Sequence, residues 1–319
     1  MTRNYRARPA NQRILITGAS GLVGTALTAA LSGRGDDVVP LDLRAPGQAR
    51  GDVCDLDGLR QVMADVDGVV HLAAVSRIQW AERDPEACRR TNVEGVRNVL
   101  AAAAEAPDAP WVVFASSREV YGQAETLPVT ETAALRPVNV YGRSKVAGEA
   151  LIDQARREGL RACILRLSNV YGAVADHADR VVPAFVRAAL LGQALRIEGG
   201  ARTLDFTHLD DVTRGFLALT QRLASGEPAP PPLHLVTGIP TTLADLAAQV
   251  CRITGSHASM EPTQERTFDI QRFVGSHARA TQELGWRPGV SLEEGLTRLA
   301  AAFRDPLACE AARTRASVA

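Results

Sequence analysis

Tyr141 and Lys145, four residues apart in "NVYGRSKVAGE", are the pair in this chain best suited to acid–base chemistry. On a helix that spacing is one turn, so both side chains share a face. A free phenol has a pKa near about 10, too high for a base at neutral pH. A lysine ammonium one turn away, with a second positive charge nearby, favours the phenolate and lowers that value. Such a pair can take a proton from a hydroxyl while hydride leaves the same carbon. The Y-x-x-x-K spacing alone also occurs on ordinary surface helices.

A second polar group stands in "FASSREVYG", Phe114 to Gly122. It begins as the end of a buried strand and finishes in Ser116, Ser117, Arg118 and Glu119, where a parallel strand delivers side chains to a pocket. Arg118 and Glu119 read either as a local ion pair supporting the strand end or as direct contacts to a substrate.

In "ILITGASGLVGTAL", Gly18, Gly21 and Gly24 follow a first strand and enter a first helix. Glycines there allow a tight turn, close approach of a pyrophosphate to backbone N–H groups, and close helix–sheet packing. A glycine-rich turn without a ligand is the plain alternative. Context favours the dinucleotide, because Asp42 ends the second strand. Its carboxylate can accept hydrogen bonds from both adenosine ribose hydroxyls and would repel a 2′-phosphate. That selects NAD over NADP, although Arg34 and Arg44 lie close by. "HLAA" ends the next strand with Leu72, Ala73 and Ala74, small enough for the backbone to pass near the cofactor, and His71 reads as a satisfied core histidine.

The elements that must hold these residues alternate. "RILIT" (13–17), "DVVPL" (37–41), "GVVHL" (68–72), "WVVFA" (111–115) and "RACILR" (161–166) are continuously apolar, as strands buried on both faces are. Helical stretches at 22–32, 55–64, 85–104 and 139–158 separate them. The pattern predicts an α/β fold, a Rossmann-type doubly wound parallel sheet with a smaller C-terminal α/β substrate lobe. After about residue 172 helices at 182–191, 209–223, 242–253, 276–284 and 291–303 alternate with short strands near 195–197 and 233–236. The expected organisation is a flexible tail (1–11), an NAD-binding domain (12–172, with return segments near 205–237), a mainly substrate-binding lobe (173–305) and a second tail (306–319).

Composition narrows the function. The 319 residues are 46% hydrophobic, ample for a sizeable core. Basic and acidic residues number 36 each, which argues for neither nucleic acid nor a membrane surface. No apolar run is long enough to span a bilayer, and the basic N-terminus lacks the apolar segment of a secretory signal. The five cysteines, scattered and never spaced C-x-x-C, fit a reducing cytoplasm, and with scattered histidines they predict no metal.

Taken in order, "TGASGLVG", "GDVCDLDGL", "HLAA", "TNVEGVRNVL", "SSREVYG", "YGRSK", "RLSNVYG" and "DFTHLDDV" resemble the extended short-chain dehydrogenase/reductases, and within them the NAD-dependent nucleotide-sugar epimerase/dehydratase group. The resemblance runs from about residue 13 to "LGWRP" at 284–288. It implies that Tyr141 is the acid/base, that Lys145 binds the nicotinamide ribose, and that Ser117 hydrogen-bonds the reacting sugar oxygen. Ser20, Leu22 and Val23 would join the glycines around the pyrophosphate, and Asp52 and Val53 would meet the adenine. Asn92 would support the cofactor pocket, and Leu167 and Ser168 would lie against the nicotinamide. Asn169 would meet the sugar diphosphate. Arg272 matches a diphosphate-binding arginine, with a solvated surface charge as its alternative. The faces of the helices at 85–104 and 139–158 would form a homodimer interface, or pack on the sheet.

Two departures fall in the sugar-nucleotide site. Leu204-Asp205-Phe206 replaces a frequent Arg-Asp-Phe, with Arg202 two residues earlier as a possible substitute. Ala173 stands where a proline usually follows "NVYG", ahead of "VADHADR". A third concerns the reaction. Relatives that expel water carry an aspartate acid and a glutamate base after the serine or threonine, and here Arg118 and Glu119 occupy those places. A guanidinium cannot serve as the general acid. The expected activity is a nucleotide-sugar 4-epimerase with hydride held on bound NAD. The alternatives are a 4,6-dehydratase or decarboxylase using Glu119, a dehydrogenase or ketoreductase, and a non-catalytic dinucleotide sensor, against which Ser117, Tyr141 and Lys145 speak.

Overall fold

The computed structural model describes residues 11–305; the two expected tails lie, but for Asn11, outside them. Six strands form one parallel sheet in the order β10-β5-β4-β3-β1-β2: β1 (Arg13–Thr17), β2 (Asp37–Leu41), β3 (Gly68–His71), β4 (Trp111–Ser117), β5 (Ala162–Leu167) and, joining late, β10 (Leu233–Leu235). All seven residues of β4 are buried, as a central strand covered on both faces requires. From β1 the chain steps outward to β2 and then back to β3 on the other side. That reversal opens a crevice beyond the carboxyl ends of β1 and β3.

Helices α1 (Leu22–Arg34), α2 (Leu56–Met63), α3 (Ile78–Arg83), α4 (Pro85–Arg89), α5 (Gly95–Glu105) and α6 (Val140–Arg157) connect the strands. One face of the sheet packs on α1 and, from later in the chain, α8 (Leu209–Ala224), through Leu27, Leu31, Phe216 and Leu219. The other face packs on α2, α5 and α6, through Leu59, Val99, Ala103 and Ile152.

A smaller apolar core lies beside the sheet. It is built from α7 (Val181–Leu190), α9 (Leu243–Thr254) and α11 (Leu292–Arg304) around Phe185, Leu246 and Leu299. Short strand pairs frame it: β6 (Asn169–Tyr171) with β9 (Phe206–His208), β7 (Leu195–Glu198) with β12 (Met260–Thr263), and β8 (Thr203–Leu204) with β11 (Thr241–Thr242). Helix α10 (Ala278–Leu284) lies against β10 and α8. The proline-rich stretch before residue 233 delivers β10 back to the sheet edge beside β5.

The helix expected over 85–104 is interrupted. Residues Arg90–Glu94 form a π-helical turn between α4 and α5, the insertion of an extra residue that often marks a functional site. Helix α3, under two turns long, and the two- and three-residue strands β6, β8, β9 and β11 are too short to repeat a pattern, whereas β7 falls at the strand expected near 195–197.

Candidate active site

The cofactor crevice begins at the turn after β1. Gly18 sits at φ +73°, and a Cβ there would come within 2.7 Å of the Ala73 backbone nitrogen, so only glycine lets this turn pass the end of β3. Gly21 caps α1 without any side-chain hydrogen bond, and Leu22, Val23 and Gly24 of the first turn line the cavity. An uncapped helix N-terminus with no acidic residue in its first turn is built for an anion. At the end of β2, Asp42 is buried and accepts from the backbone N–H of Ser20 at 3.1 Å and of Arg44 at 2.9 Å. An Asp42–Arg50 bridge draws the segment holding Asp52 and Val53 alongside. Leu72, Ala74 and Leu167 complete the cavity wall. A helix N-terminus open to a diphosphate, with a carboxylate at the end of the neighbouring strand, fits a dinucleotide.

Asn92, in the π-helical turn, supports the next loop. Its Oδ1 accepts from Val75 N at 2.7 Å, while its Nδ2 donates to Val75 O at 3.2 Å and to Ser144 Oγ at 2.9 Å. It thereby ties the loop after β3 to the helix that carries Tyr141 and Lys145. His71 is a buried core histidine. Its Nδ1 pairs with Thr17 Oγ1 at 2.7 Å, and burial, with the Lys145 charge, pulls its pKa down to about 3.

Tyr141, Lys145 and Ser117 all line one cavity of about 520 Å³. Asn139 starts α6 by accepting from Gly142 N at 2.7 Å, which sets Tyr141 at the mouth of the helix. Ser117 ends β4 and lines the same cavity as Tyr141, and its Oγ accepts from Glu119 N at 3.2 Å. Lys145 Nζ donates to Ala115 O at 2.8 Å and sits 4.7 Å from the Phe114 ring centroid and 5.8 Å from that of Tyr141. Burial pushes the Tyr141 phenol up to about 12, against the opposing pull of Ser117 and Arg180. Burial also draws Lys145 down to about 8, with Cys88 and Glu149 resisting. Forming the phenolate therefore needs a further positive charge, and a cationic nicotinamide ring supplies that kind of charge.

Behind these residues lies a buried polar frame. Arg166 holds Glu149 through two hydrogen bonds of 2.9 and 2.6 Å, and Ser116 Oγ donates to the same carboxylate at 2.5 Å. Arg166 also donates to the Tyr121 hydroxyl at 2.6 Å, which in turn meets His234 Nε2 at 2.5 Å. His234 Nδ1 faces a carbonyl, Ser276 O, so Nδ1 carries the proton and Nε2 accepts from Tyr121. Fully satisfied networks of this kind rigidify the groups in front of them.

On the substrate side, Arg118 and Glu119 line the cavity and form a buried ion pair at 3.0 Å. Arg118 also approaches Asn169 Oδ1 at 3.4 Å, and Asn139 Nδ2 donates to the other Glu119 oxygen at 2.7 Å. Arg202, buried, lines the cavity and is tied to Asp269 at 2.9 Å, whereas Leu204 presents an apolar wall.

Arg272 is elsewhere. It is exposed and absent from the cavity wall, because its extended segment beside β8 alternates and sends Phe273 into the core. Arg266 lines the cavity instead, bridged to Glu198 at 2.6 Å and to Asp269 at 3.0 Å. Arg77, Asp176, Asp179 and Arg180 were also missing from the sequence reading. The only signal was the unusual "VADHADR" after Ala173, and pairing across to Arg77 is invisible in one dimension. Burial raises the Asp176 carboxyl above its ordinary range, with Arg180 opposing.

Residues 14–231 match the NAD dependent epimerase/dehydratase family, and the chain belongs to that family. It is 31% identical to a dTDP-glucose 4,6-dehydratase of Streptomyces griseus, over 89% of this chain and 91% of that protein. It is 29% identical to a UDP-glucose 4-epimerase of Mycolicibacterium smegmatis, over 92% and 99%. Among solved structures, the Thermus thermophilus UDP-glucose 4-epimerase in complex with NAD superposes with a TM-score of 0.84 at 26% identity, covering 92% of this chain and 99% of that one. The protein is thus an NAD-dependent enzyme of the epimerase and dehydratase class, with the Rossmann-type fold expected of it.

Proposed function

We propose that the enzyme is a nucleotide-sugar 4-epimerase. One observation carries the choice: both Glu119 oxygens are engaged, one by Arg118 at 3.0 Å and one by Asn139 at 2.7 Å, beside an intact Ser117, Tyr141 and Lys145. Elimination of water needs an acid and a free base next to the sugar. Here an arginine replaces the acid, and the glutamate is bound into the wall.

In this reading Ser117 holds the sugar O4 and Tyr141, as phenolate, takes the O4 proton. Lys145 stabilises the phenolate and holds the nicotinamide ribose. Gly18, Gly21 and the first turn of α1 hold the pyrophosphate, and Asp42 reads the ribose. NAD bound there supplies the acceptor that takes hydride from C4 and returns it. After the keto-sugar has turned, Tyr141 gives its proton back to O4, so the net change is inversion at one carbon. Asn169, Arg202 and Arg266 face the substrate diphosphate, which suits guanidinium and amide donors.

The same reading includes a homodimer in a reducing cytoplasm. Ala104 of α5 and Ala150 of α6 stay exposed and offer a docking face, while Ala102, Ala103 and Ala155 pack on the sheet. The cysteines among the described residues are free thiols. The activity is tested by incubating purified enzyme with UDP-, dTDP- and GDP-hexoses and identifying products by NMR. An inverted hexose without net NADH is expected, and a 4-keto-6-deoxy product overturns the assignment.

A further inference from the structure

Charges around the reacting end of the cavity cancel in pairs. Three arginines line the cavity that holds Ser117 and Tyr141, and each faces its own carboxylate. Arg77 meets Asp179 at 2.6 Å, Arg118 meets Glu119 at 3.0 Å, and Arg180 meets Asp176 at 3.3 Å. The small-lobe end differs. Arg202 and Arg266 share Asp269, Arg266 also meets Glu198, and Arg196 on β7 lines the cavity, exposed, with no ion-pair partner among the described residues. The uncompensated positive charge therefore lies where a diphosphate belongs, away from the sugar.

Asp176 adds a demand of its own. Its side chain is only 1% exposed. Its Oδ1 accepts from His177 N at 2.8 Å and faces Arg180, whereas its Oδ2 is buried and meets no donor. A buried carboxylate oxygen calls for a hydrogen-bond donor. A sugar hydroxyl is one, and the carboxylate of a uronic acid is not. Each of the three guanidiniums already faces one carboxylate, so a second carboxylate here would add an uncompensated negative charge beside Asp176. The N–H groups they keep without a hydrogen-bond partner, Arg77 Nε, Arg118 Nη1 and Arg180 Nε, can be met by the oxygen of a neutral hydroxyl.

We infer that the sugar is uncharged at C6, a nucleotide hexose and not a nucleotide uronic acid, and that Asp176 accepts one of its hydroxyls through Oδ2. The inference rests on the reading of this cavity as a nucleotide-sugar site.

The test uses full-length Tyr141→Phe protein with NAD bound, so that ligands bind without turning over. Calorimetry compares UDP-glucose with UDP-glucuronate and dTDP-glucose with dTDP-glucuronate, because a shared nucleotide isolates the sugar. The neutral sugar of at least one pair should bind at least about tenfold more tightly. Adding Asp176→Asn should weaken the neutral sugar and bring that ratio to within about threefold, with affinity for the bare nucleoside diphosphate unchanged. Equal or tighter binding of the uronates, a ratio unmoved by Asp176→Asn, or no sugar binding better than its bare nucleoside diphosphate overturns the inference. If the double variant does not fold, the Tyr141→Phe ratio alone decides. A dehydrated product from the wild-type enzyme would sink the epimerase reading and leave this ratio standing, so the two failures are distinct.

Discussion

Asn139 joins Glu119 to the helix that carries Tyr141. Its Nδ2 donates to Glu119 Oε2 at 2.7 Å, while its Oδ1 accepts from Gly142 N at the same distance and caps α6. Glu119, bound on its other oxygen by Arg118, is thus part of the mount that fixes where the phenol points.

Glu119→Gln separates a mount from a base. A glutamine keeps one acceptor and the shape but leaves buried Arg118 without a counter-charge, so unfolding free energy should fall by about 3 kcal/mol. Turnover should fall less than about tenfold, against the roughly 10²–10⁴-fold expected on removing a general base. Denaturant melts and steady-state rates measured on one preparation check both.

The basic limb of the pH–rate profile reports Lys145. Activity needs its ammonium, and burial sets its pKa at about 8, so the rate should decline as pH rises through that value. Glu149 raises the Lys145 pKa; Glu149→Gln removes that support and should move the limb to lower pH. A limb that stays in place shows that Glu149 only fills space.

Gly18→Ala should abolish retention of NAD. The alanine must hold φ +73° with its Cβ 2.7 Å from Ala73 N, which displaces the turn against the end of β3. The expected loss of cofactor affinity exceeds about 100-fold, read from the spectrum of the purified protein and by titration with NAD.

Acid should destabilise the fold well above the carboxylate range. His71 and His234 are buried and neutral, their pKa values drawn down to about 3 by burial first, then by Lys145 and Arg166 respectively. Folded values below the unfolded value mean that the unfolded chain takes up protons first. Stability present above pH ~6.5 is therefore lost as pH falls toward about 3, by an amount on the order of several kcal/mol. Denaturation midpoints against pH should slope down in that window, and His234→Phe should flatten the slope.

The inner strands of the sheet were legible because they are buried on both faces and so read as unbroken apolar runs, β4 most clearly; β2, at the sheet edge, is buried only at Leu41. The glycine turn, Asp42, Ser117, Tyr141 and Lys145 were legible because each sits at a strand end or one helical turn from its partner. What failed was anything set by neighbours distant in sequence. Arg272 and Arg266 are indistinguishable by type, and only the pairing beside β8 shows which one turns outward. A sequence shows Lys145 one turn from Tyr141 but not the burial that pushes the phenol up. The links from Arg77 to Asp179 and from Asp176 to Arg180 depend on a loop conformation that no periodicity encodes.

The most direct test follows one hydrogen. Purified enzyme with its bound NAD is given a nucleotide hexose deuterated at C4, and the product is read by proton NMR. The account predicts a C4-inverted hexose that keeps its deuterium at C4, forms no 4-keto-6-deoxy sugar and leaves no net NADH. Deuterium appearing at C6 of a dehydrated product, or accumulating in free NADH, would contradict it.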